Sequence, residues 1–448
     1  MFESVGWQFM APHVIIIGGG FGGLSAAHSL HNAPVRVTVI DKRNYHLFRP
    51  MLYQVATGLL SDDEIAGPLR SILSHRNTDV LLDEVIGIRP DDRTVHLRHR
   101  DLAYDFLIVA TGIQYNYFGH DEWRQFAPGL ESLDDADVIR SKILLAFERA
   151  EALASASQDV PAEEIRRLLT FALVGAGTVG VEMAGTLAEM SRMALANDFR
   201  HIDPRTARIL LYEAAPRILP TYPEVLSLKA RRHLERLGVE VFTNAQVTNV
   251  DPDGIVVGGQ RVPAATVLWG AGVVASPAGR WLGAETDKFG KVMVEPDLSV
   301  RDHREVFVLG DTAHVVAPAR NLFGIKSRTP MLMPGVAQPA IQEGEYVAAV
   351  IRRRVEGRTQ PKPFWYWDKG DLAIVGRTYA VADLRFLRFS GFTGWLLWAG
   401  VHIYFLIGFA NRLFVLLQWG FDFLTKRRRV RVLSEEHPSA QNFIDPAA

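Results

Sequence analysis

The sequence predicts an α/β fold with two Rossmann-like dinucleotide-binding domains and a C-terminal amphipathic helical segment. An apolar strand followed by a glycine-rich turn occurs at residues 14–23 and again at residues 171–180. Strand–glycine–helix units of this kind build parallel sheets with helices on both faces. The last segment is predicted because residues 389–411 carry no charge, and the residues after them separate polar from apolar positions at helical spacing.

The first glycine turn reads G-x-G-x-x-G, with Gly18, Gly20 and Gly23 following four apolar β-branched residues. In a dinucleotide site the first glycine permits a tight turn, the second admits a pyrophosphate, and the third lets helix and strand pack closely. The next apolar strand ends in Asp41, whose carboxylate can accept a hydrogen bond from a ribose hydroxyl. The glycine motif alone is a weak signal, but together with both strands and the acid it predicts a bound dinucleotide.

Length and composition bound the function classes. With 448 residues the chain is too long for one core, so we expect a first dinucleotide domain at residues 10–125 and 290–384, a second at 126–289, and an anchoring segment at 385–448. Lys and Arg (49) balance Asp and Glu (50), so no nucleic-acid partner is expected. The sequence has no cysteine, which excludes structural disulfides, thiolate zinc sites and redox-active dithiols, and no metal site is expected.

Three further segments place small or polar residues where the backbone can approach a ligand. Lys42 opens a basic and aromatic stretch that suits either a loop over a cofactor or an ordinary connection with buried aromatic residues. Thr111 and Gly112 follow an apolar strand in a small-residue turn. Gly310 and Asp311 end another apolar strand, where the aspartate suits a ribityl chain or, alternatively, a helix N-cap.

The second glycine turn repeats the spacing with Gly175, Gly177 and Gly180. A later apolar strand ends in Glu213, which can accept from both ribose hydroxyls and would repel a 2′-phosphate. This acid favours NADH over NADPH, although Arg217 nearby weakens that preference. The repeat predicts a second dinucleotide site.

Other candidate residues lie on helices or at strand ends. Glu182 either interacts with a helix dipole, worth about 0.3–1 kcal/mol, or lies beside a nicotinamide, where it orients the ring or relays a proton. Gly272 follows a third apolar strand of the second unit. Ala337 begins a predicted helix on which Gln338 and Gln342 share one face, and the helix N-terminus offers positive potential to an electron-rich ring.

The C-terminal segment predicts an interfacial anchor. Residues 389–411 are uncharged and could span a bilayer by length alone. Beyond them, Gln418, Asp422 and Thr425 belong to a polar stripe, and a basic run follows at residues 426–431. We expect the apolar face to lie in the acyl region and the cations to lie on anionic headgroups. A transmembrane hairpin and a buried dimer interface are the alternatives.

Together these motifs resemble those of the type II NADH:quinone oxidoreductases, the non-pumping alternative NADH dehydrogenases. The likeness covers nearly the whole chain, and its most specific part is the A-Q-x-A-x-Q element at residues 337–342 joined to the Trp-rich C-terminus. The other segments that carry it are the two glycine motifs and residues 41–44, 50–58, 110–112, 117–119, 310–311 and 368–370.

The resemblance implies FAD in the first unit and NADH as co-substrate in the second. It implies that Asp41 binds the adenosine ribose of FAD, and that Gln338 and Gln342 lie on the quinone side of the flavin. Lys369 is implied as a quinone-site or proton-path residue, and Glu182 as a carboxylate near the nicotinamide and the flavin. It further implies ubiquinone or menaquinone as acceptor, anionic lipid as a partner, and a homodimer bound peripherally (monotopically) to the cytoplasmic face of the cell membrane in a respiratory chain.

The expected reaction is hydride transfer from NADH to the flavin, followed by two-electron reduction of a membrane quinone without proton pumping. Sulfide:quinone or disulfide reductase chemistry in its usual form is excluded by the lack of cysteine. A soluble ferredoxin or rubredoxin reductase is an alternative that would not need the C-terminal segment. An FAD- and NADH-binding redox sensor at the membrane is an alternative from another class.

Overall fold

The structure is a computed structural model that describes residues 11–156, 161–327, 329–425, 428 and 430–433. Its contacts divide the chain into two compact units, and each unit is assembled from separate stretches of sequence. Unit 1 takes its residues from 1–47, 66–114 and 273–369, and unit 2 from 48–65, 115–272 and 370–448.

The α-helices of the described residues follow in chain order. They are α1 (Phe21–Ser29), α2 (Leu52–Ala56), α3 (Asp62–Ile65), α4 (Leu69–Ile72), α5 (Leu133–Ala156), α6 (Ala162–Leu168), α7 (Thr178–Glu189), α8 (Glu224–Arg236), α9 (Ala278–Leu282), α10 (Ala337–Val355), α11 (Phe392–Phe405) and α12 (Phe409–Thr425). A helix was predicted over residues 134–157, and α5 confirms it as far as residue 156; Ser157 lies outside the described residues.

The strands are short and numerous. Those before the second glycine turn are β1 (His13–Ile17), β2 (Arg36–Asp41), β3 (Tyr45–Leu47), β4 (Ala66–Pro68), β5 (Thr78–Leu82), β6 (Val85–Arg89), β7 (Thr94–Leu97), β8 (Asp101–Ala103), β9 (Phe106–Val109), β10 (Ile113–Tyr115) and β11 (Thr170–Val174). Those of the middle of the chain are β12 (Arg208–Tyr212), β13 (Val239–Phe242), β14 (Val247–Asp251), β15 (Gly254–Val257), β16 (Gln260–Pro263), β17 (Thr266–Trp269), β18 (Val273–Ala275), β19 (Val292–Met293), β20 (Ser299–Val300) and β21 (His303–Val308). The last are β22 (Ala313–His314), β23 (Val316–Ala317), β24 (Ala319–Asn321), β25 (Met331–Leu332), β26 (Tyr366–Asp368), β27 (Asp371–Ile374), β28 (Ala380–Asp383) and β29 (Arg388–Gly391).

Unit 1 is built on a sheet with the strand order β20-β21-β9-β1-β2-β5. All neighbours in it are parallel except the edge pair β20 and β21. β1 is buried along its whole length, as expected for a central strand covered on both faces. Since β1, β2, β9 and β21 are parallel, their carboxyl ends meet at one edge of the sheet, where ligands of open α/β sheets bind.

Unit 2 repeats this plan on a smaller scale. Its parallel sheet has the order β13-β12-β11-β17, with β11 fully buried in the centre. Each unit also carries a three-stranded antiparallel meander, β6-β7-β8 in unit 1 and β14-β15-β16 in unit 2. The predicted α/β architecture with two related units is therefore confirmed.

In unit 1, α10 packs closely across α1. Ser25 donates its hydroxyl to the carbonyl oxygen of Ile341 at 2.9 Å. A Cβ at Gly344 would lie 2.3 Å from the carbonyl oxygen of Gly22, so the two helices approach as closely as only glycine permits. This contact fixes the first turns of α10 beside the glycine turn.

One expected helix is interrupted. The sequence of residues 65–75 predicts a single short helix, but these residues contain the end of α3, then β4 and α4. Pro68 ends β4 with an extended backbone, and it has no N–H for a helical hydrogen bond. β4 instead pairs with β3.

The uncharged C-terminal stretch is not one continuous helix. It comprises the end of β29, all of α11, and the start of α12, with a break at residues 406–408. Within the described residues no helix is both long and apolar enough to cross a membrane.

Helix α12 is amphipathic, and its polar residues face the protein. Val415, Gln418 and Asp422 are buried. Thr425 is exposed, and so are apolar side chains along the helix: Leu413, Phe414, Leu416, Leu417, Phe421, Phe423 and Leu424. The polar stripe of the sequence is therefore largely an inner surface.

The expectation that the basic run lies on lipid headgroups is wrong for two of its residues. Arg428 is buried and donates to the carbonyl oxygens of Thr57 and Thr186. Arg431 forms an ion pair with Asp198. Both side chains bond partners inside unit 2. Lys426, Arg427 and Arg429 lie outside the described residues.

The contact between α1 and α10 predicts that G344A destabilises unit 1. The added methyl group must push the two helices apart, because its nearest neighbours are backbone atoms. We expect the free energy of unfolding to fall by about 1–3 kcal/mol, measured by urea denaturation.

G400A is the matched control, since Gly400 lies within α11 and a Cβ there would meet nothing within 4 Å. We expect it to leave stability unchanged or to raise it by about 0.5–1 kcal/mol. Equal unfolding midpoints for G344A and the unmodified protein would contradict the proposed packing constraint.

Candidate active site

The glycine turn of unit 1 has the geometry that its spacing predicts. Gly18 has φ +103° and donates its N–H to the carbonyl oxygen of Ile40 at 2.8 Å. A Cβ at Gly23 would lie 1.9 Å from the carbonyl oxygen of Gly18, so helix and strand are in direct backbone contact. Gly20, by contrast, has no neighbour within 4 Å of its Cβ position, so the turn opens there onto free space.

Asp41 fastens this turn to the end of β2. One carboxylate oxygen accepts from the backbone N–H of Gly19 at 2.6 Å, and the other accepts from Arg43 at 2.8 Å. The carboxylate is thereby held at the carboxyl edge of the sheet. Lys42, between these residues, is exposed.

Unit 2 repeats the arrangement almost atom for atom. Gly175 has φ +98° and donates to Tyr212 at 2.8 Å, and a Cβ at Gly180 would again lie 1.9 Å from the first glycine's carbonyl oxygen. Gly177, like Gly20, faces free space.

Glu213 takes the role in unit 2 that Asp41 has in unit 1. Its two oxygens accept from the backbone N–H groups of Ala176 at 2.7 Å and Ala215 at 2.8 Å. Arg217 donates to the carbonyl oxygen of Pro220 at 2.8 Å and is engaged there. Gly272, at the end of the third strand, has φ +73°, and its carbonyl oxygen accepts from the N–H of Asn116.

Four more predicted residues of unit 1 lie at the carboxyl ends of β9 and β21. Thr111 shares a hydrogen bond of 2.5 Å with the hydroxyl of Ser276, and Gly112 donates its N–H to the hydroxyl of Thr312 at 2.7 Å. Gly310, with φ +67°, opens a short 3-10 turn that contains Asp311. Asp311 is therefore part of a turn and does not cap a long helix.

Helix α10 presents its N-terminus in the same unit. It begins at Ala337, as predicted, after an extended Val336. The side-chain oxygen of Gln338 is buried and has no hydrogen-bond partner among the described residues. A buried acceptor without a donor is costly, and this suggests that a ligand supplies the donor.

Gln342 and Lys369 meet at the strand β26. Both polar atoms of the Gln342 side chain bond the backbone of Trp367, donating to its carbonyl oxygen at 3.0 Å and accepting from its N–H at 2.8 Å. The ammonium of Lys369 lies 5.1 Å from the centre of the Trp367 ring. Gln342 thus holds β26, and through Trp367 the structure brings two of the predicted residues together.

Glu343 is a residue that the motif analysis missed. Its side chain is 1% exposed, and a carboxylate oxygen accepts from the N–H of Gly310 at 2.6 Å. Burial raises its pKa to about 7, with the negative charge of Asp311 adding to the effect. Helical spacing is the signal that could have found it, since Glu343 lies four residues before Val347 and seven before Val350 on the buried face of α10.

Glu182 lies in the second turn of α7, which begins at Thr178, and its side chain is 5% exposed. Burial raises its pKa well above the usual value, and the backbone N–H of Ile374 is its hydrogen-bond donor. The helix-dipole interpretation fits poorly, because the carboxyl group lies past the first turn and burial favours its neutral form.

Unit 2 contains a cleft that no motif predicts. Its apolar wall includes Leu59, Trp395, Trp398 and Trp419. The Trp398 ring nitrogen is buried and has no hydrogen-bond partner among the described residues. A dry aromatic wall with one free donor suits a flat ligand with a carbonyl group.

A hydrogen-bonded series runs along this cleft. The indole N–H of Trp419 donates to the side-chain oxygen of Gln54 at 2.8 Å, and the Gln54 amide donates to the Tyr53 hydroxyl at 2.8 Å. Burial and the nearby Glu182 charge raise the pKa of Tyr53, so the phenol keeps its proton. The series connects α12 to the neighbourhood of Glu182.

The polar wall of the cleft holds buried charges of both signs. Burial raises the pKa values of Glu189 and Asp422, while Arg428 and Arg377 lie close enough to oppose that rise. The backbone N–H of Arg377 donates to Glu189 at 2.9 Å. Buried carboxylates are stable only with such partners.

His402 is an ionisable residue within the apolar helix α11, and its burial favours the neutral ring. Its ring stacks on Trp398 with centroids 4.2 Å apart and bonds the carbonyl oxygen of that residue at 2.7 Å. Burial lowers its pKa to about 4, so the ring is neutral at pH 7. Within the described residues no cluster of histidines and carboxylates could hold a metal ion.

Comparison with known proteins places this geometry in a family. Residues 12–344 match the pyridine nucleotide-disulphide oxidoreductases. A type II NADH:quinone oxidoreductase of Mycobacterium tuberculosis, NdhA, is 44% identical over 433 residues, which cover 93% of this chain and 88% of that protein. A second enzyme of that type and organism, Ndh, is 42% identical, with coverage of 97% of this chain and 93% of that protein.

The chain belongs to the type II NADH:quinone oxidoreductases. The resemblance carried by the motifs is thereby confirmed. Among solved structures, NDH2 of Plasmodium falciparum in complex with NADH is similar with a TM-score of 0.82 and 20% identity, covering 93% of this chain and 99% of that one. The sulfide:quinone oxidoreductase of Aquifex aeolicus is also similar in fold, with a TM-score of 0.67 and 18% identity, over 88% of this chain and 91% of that one.

The buried Glu343 predicts a specific pH dependence of stability for this type II enzyme. Its pKa is about 7 in the folded state against an ordinary value of 4.5. Glu343 therefore binds its proton more tightly in the folded state than in the unfolded state. The stability that this proton contributes is fully present below pH 4.5 and is lost as the pH rises to 7. For E343Q, which cannot ionise, we expect stability relative to the unmodified protein to rise by about 3 kcal/mol between pH 4.5 and pH 8.

The measurement is urea denaturation of both proteins at the two pH values. E345Q is the matched control, because Glu345 is exposed on the same helix. It should follow the unmodified protein. A stability difference between E343Q and the unmodified protein that does not change with pH would show that Glu343 does not titrate in this range.

Proposed function

We propose that this chain oxidises NADH and reduces a membrane quinone, with FAD held by unit 1 and NADH by unit 2. When bound, the flavin takes a hydride from NADH and passes two electrons to the quinone. NADH, one proton and quinone thereby become NAD⁺ and quinol, without proton pumping. The observation that carries the proposal is the glycine turn with its terminal acid, present in both units of a chain from this family.

The residues of unit 1 fit FAD. The free space beside Gly20 and the N-terminus of α1 suit a pyrophosphate. Asp41 suits the adenosine ribose, and Asp311 suits the ribityl chain. The buried side-chain oxygen of Gln338 is an acceptor for a ring N–H.

Helix α10 supplies the electrostatics of that site. Its first turn contains no acidic residue, so its N-terminal N–H groups keep their positive potential. This potential stabilises negative charge on a ring placed at Ala337 and Gln338.

The residues of unit 2 fit NADH. Gly177 opens the pyrophosphate position, and Glu213 lies at the ribose end of the turn. A carboxylate there repels a 2′-phosphate, and Arg217 is engaged with Pro220. We therefore expect NADH to be preferred over NADPH.

Glu182 and Lys369 are the proposed proton-handling groups. Burial raises the pKa of Glu182 and so favours its protonated form, which can orient the nicotinamide and hold one proton close to the chemistry. Tyr53 and Tyr222 are buried phenols whose pKa values the ionised form of Glu182 raises. Lys369, in unit 1, is the proposed proton-path cation.

The cleft of unit 2 is the proposed site for quinone. Its tryptophan wall suits an aromatic ring with an apolar tail. The ring nitrogen of Trp398 is the donor for a quinone carbonyl. Either ubiquinone or menaquinone matches this chemistry.

The exposed apolar side of α12 supports peripheral membrane binding. Leu417 is 62% exposed and Leu424 is 82% exposed, while the polar Gln418 and Asp422 are buried. A helix with this arrangement lies in the interface with its apolar face in the acyl region. We further propose, from the family resemblance, a homodimer at the cytoplasmic face of the cell membrane.

Anaerobic stopped-flow measurements on the flavin-loaded protein test this function. NADH should bleach the flavin absorbance band, and quinone should restore it. Q338A and K369A should keep the NADH step and slow the quinone step about tenfold, since each removes an interaction of about 1.4 kcal/mol.

Q125A is the control, because Gln125 is an exposed residue of unit 2. It should leave both steps unchanged. A flavin that NADH does not bleach would exclude the proposed function, whereas normal quinone steps in both Q338A and K369A would exclude only the quinone assignment of these residues.

A further inference from the structure

An exposed apolar turn in unit 1 is not used by the proposed reaction. Residues 321–325 join β24 to the chain that returns beside it, and Arg320 forms a bridge with Lys326 across the turn. Phe323 is 57% exposed and Ile325 is 56% exposed, and Leu322 beside them is also exposed. We name this group, together with Trp365 and Trp367, the Phe323 surface.

The turn is ordered by its own hydrogen bonds. The side-chain oxygen of Asn321 accepts from the N–H groups of Phe323 and Ile325, both at 3.0 Å. Gly324, with φ +75°, donates to the carbonyl oxygen of Asn321 at 2.9 Å. These hydrogen bonds hold the backbone of the turn in one conformation. The apolar side chains on it therefore stay exposed to water.

Tryptophan and cations surround these side chains. β24 pairs with β26, so that Arg320 lies opposite Trp367. The ammonium of Lys326 lies 5.3 Å from the centre of the Trp365 ring. Both tryptophans are more than 40% exposed. Trp and Lys side chains of this kind are typical of the boundary between water and lipid.

The sequence around the turn carries charge of one sign, and the acid of the neighbouring strand, Asp368 opposite Asn321, is buried. Residues 312–342 contain no Asp or Glu, but they contain Arg320, Lys326 and Arg328. The chain as a whole is nearly neutral, with 49 basic and 50 acidic residues, so an acid-free stretch of this length is a local feature. Apolar side chains among cations are complementary to an anionic lipid surface, whereas an acidic protein partner would not require the exposed Phe and Ile.

We infer that the Phe323 surface is a second lipid-binding element, which inserts Phe323 and Ile325 into an anionic bilayer while its cations bind the headgroups. This inference extends the peripheral membrane binding proposed above, which rests on α12. It assigns a membrane contact to unit 1, where no helix of the C-terminal segment lies.

The absence of cysteine from the sequence allows a direct test. F323C carries the only thiol of the full chain, which is labelled with a polarity-sensitive dye and mixed, with flavin bound, with vesicles. On vesicles of phosphatidylcholine and phosphatidylglycerol the dye emission should shift to the blue, and the shift should be smaller on phosphatidylcholine alone.

L82C with the same dye is the matched control, since Leu82 is 55% exposed in the same unit. Its emission should not shift. If vesicles sediment the protein but the dye at residue 323 stays in water, the inference is overturned while membrane binding through α12 stands. If vesicles do not bind the protein at all, both proposals fail.

Unlabelled variants exclude an effect of the dye itself. F323S/I325S should lower the vesicle partition coefficient at least about tenfold, with unchanged oxidation of NADH by a water-soluble quinone. L82S/I86S removes two side chains that are 55% and 58% exposed, and it should not change the partition coefficient. An equal fall of the partition coefficient in F323S/I325S and L82S/I86S would overturn the assignment to lipid. So would a fall of similar size in the binding of F323S/I325S to an acidic protein used in place of vesicles.

Discussion

Direct contact between a strand and the following helix organises both units. At Gly23 and at Gly180 even one methyl group would meet a carbonyl oxygen at 1.9 Å, so the chain can turn this tightly only without side chains. The tight turn aims the N-terminus of a helix at the carboxyl edge of the sheet and leaves free space at Gly20 and Gly177. An acid at the end of the next strand then ties each turn down through backbone N–H groups. An anion site therefore exists in each unit before any ligand binds.

The second organising constraint is the burial of ionisable groups. Glu182, Glu343 and Asp422 are all carboxyl groups in the interior, and burial raises the pKa of each. Burying charge is expensive, so such groups persist where they have partners or a chemical task. Asp422 has Arg377 and Arg428 nearby. Glu343 holds the Gly310 turn and has a pKa of about 7, and Glu182 accepts from the backbone N–H of Ile374.

Much of the fold could be predicted from the sequence because its signals are local. Glycine spacing, apolar strands and terminal acids fixed both parallel sheets, and an unbroken helical pattern predicted α5. Pro339 within the first turn indicated where α10 begins. These features depend on backbone sterics and short-range periodicity, which neighbouring residues determine.

What could not be predicted depends on contacts between distant residues. The cleft of unit 2 joins Gln54 to Trp419, which are separated by most of the chain. Arg428 looks like a surface cation in a basic run, but it is buried against the carbonyl oxygens of Thr57 and Thr186. In each case the fold, and not the local sequence, decides whether a polar side chain faces water.

The central claim is that each glycine turn holds its own dinucleotide, and a matched pair of variants tests it most directly. Gly20 and Gly177 have extended backbone conformations that valine can adopt, and both face free space, so G20V and G177V should fold. Flavin content after purification and bleaching by NADH under anaerobic conditions are the two measurements. We expect G20V to be purified without flavin, and G177V to keep its flavin, which dithionite bleaches and NADH does not. Loss of flavin from G177V, with G20V keeping both flavin and its reduction by NADH, would contradict the assignment.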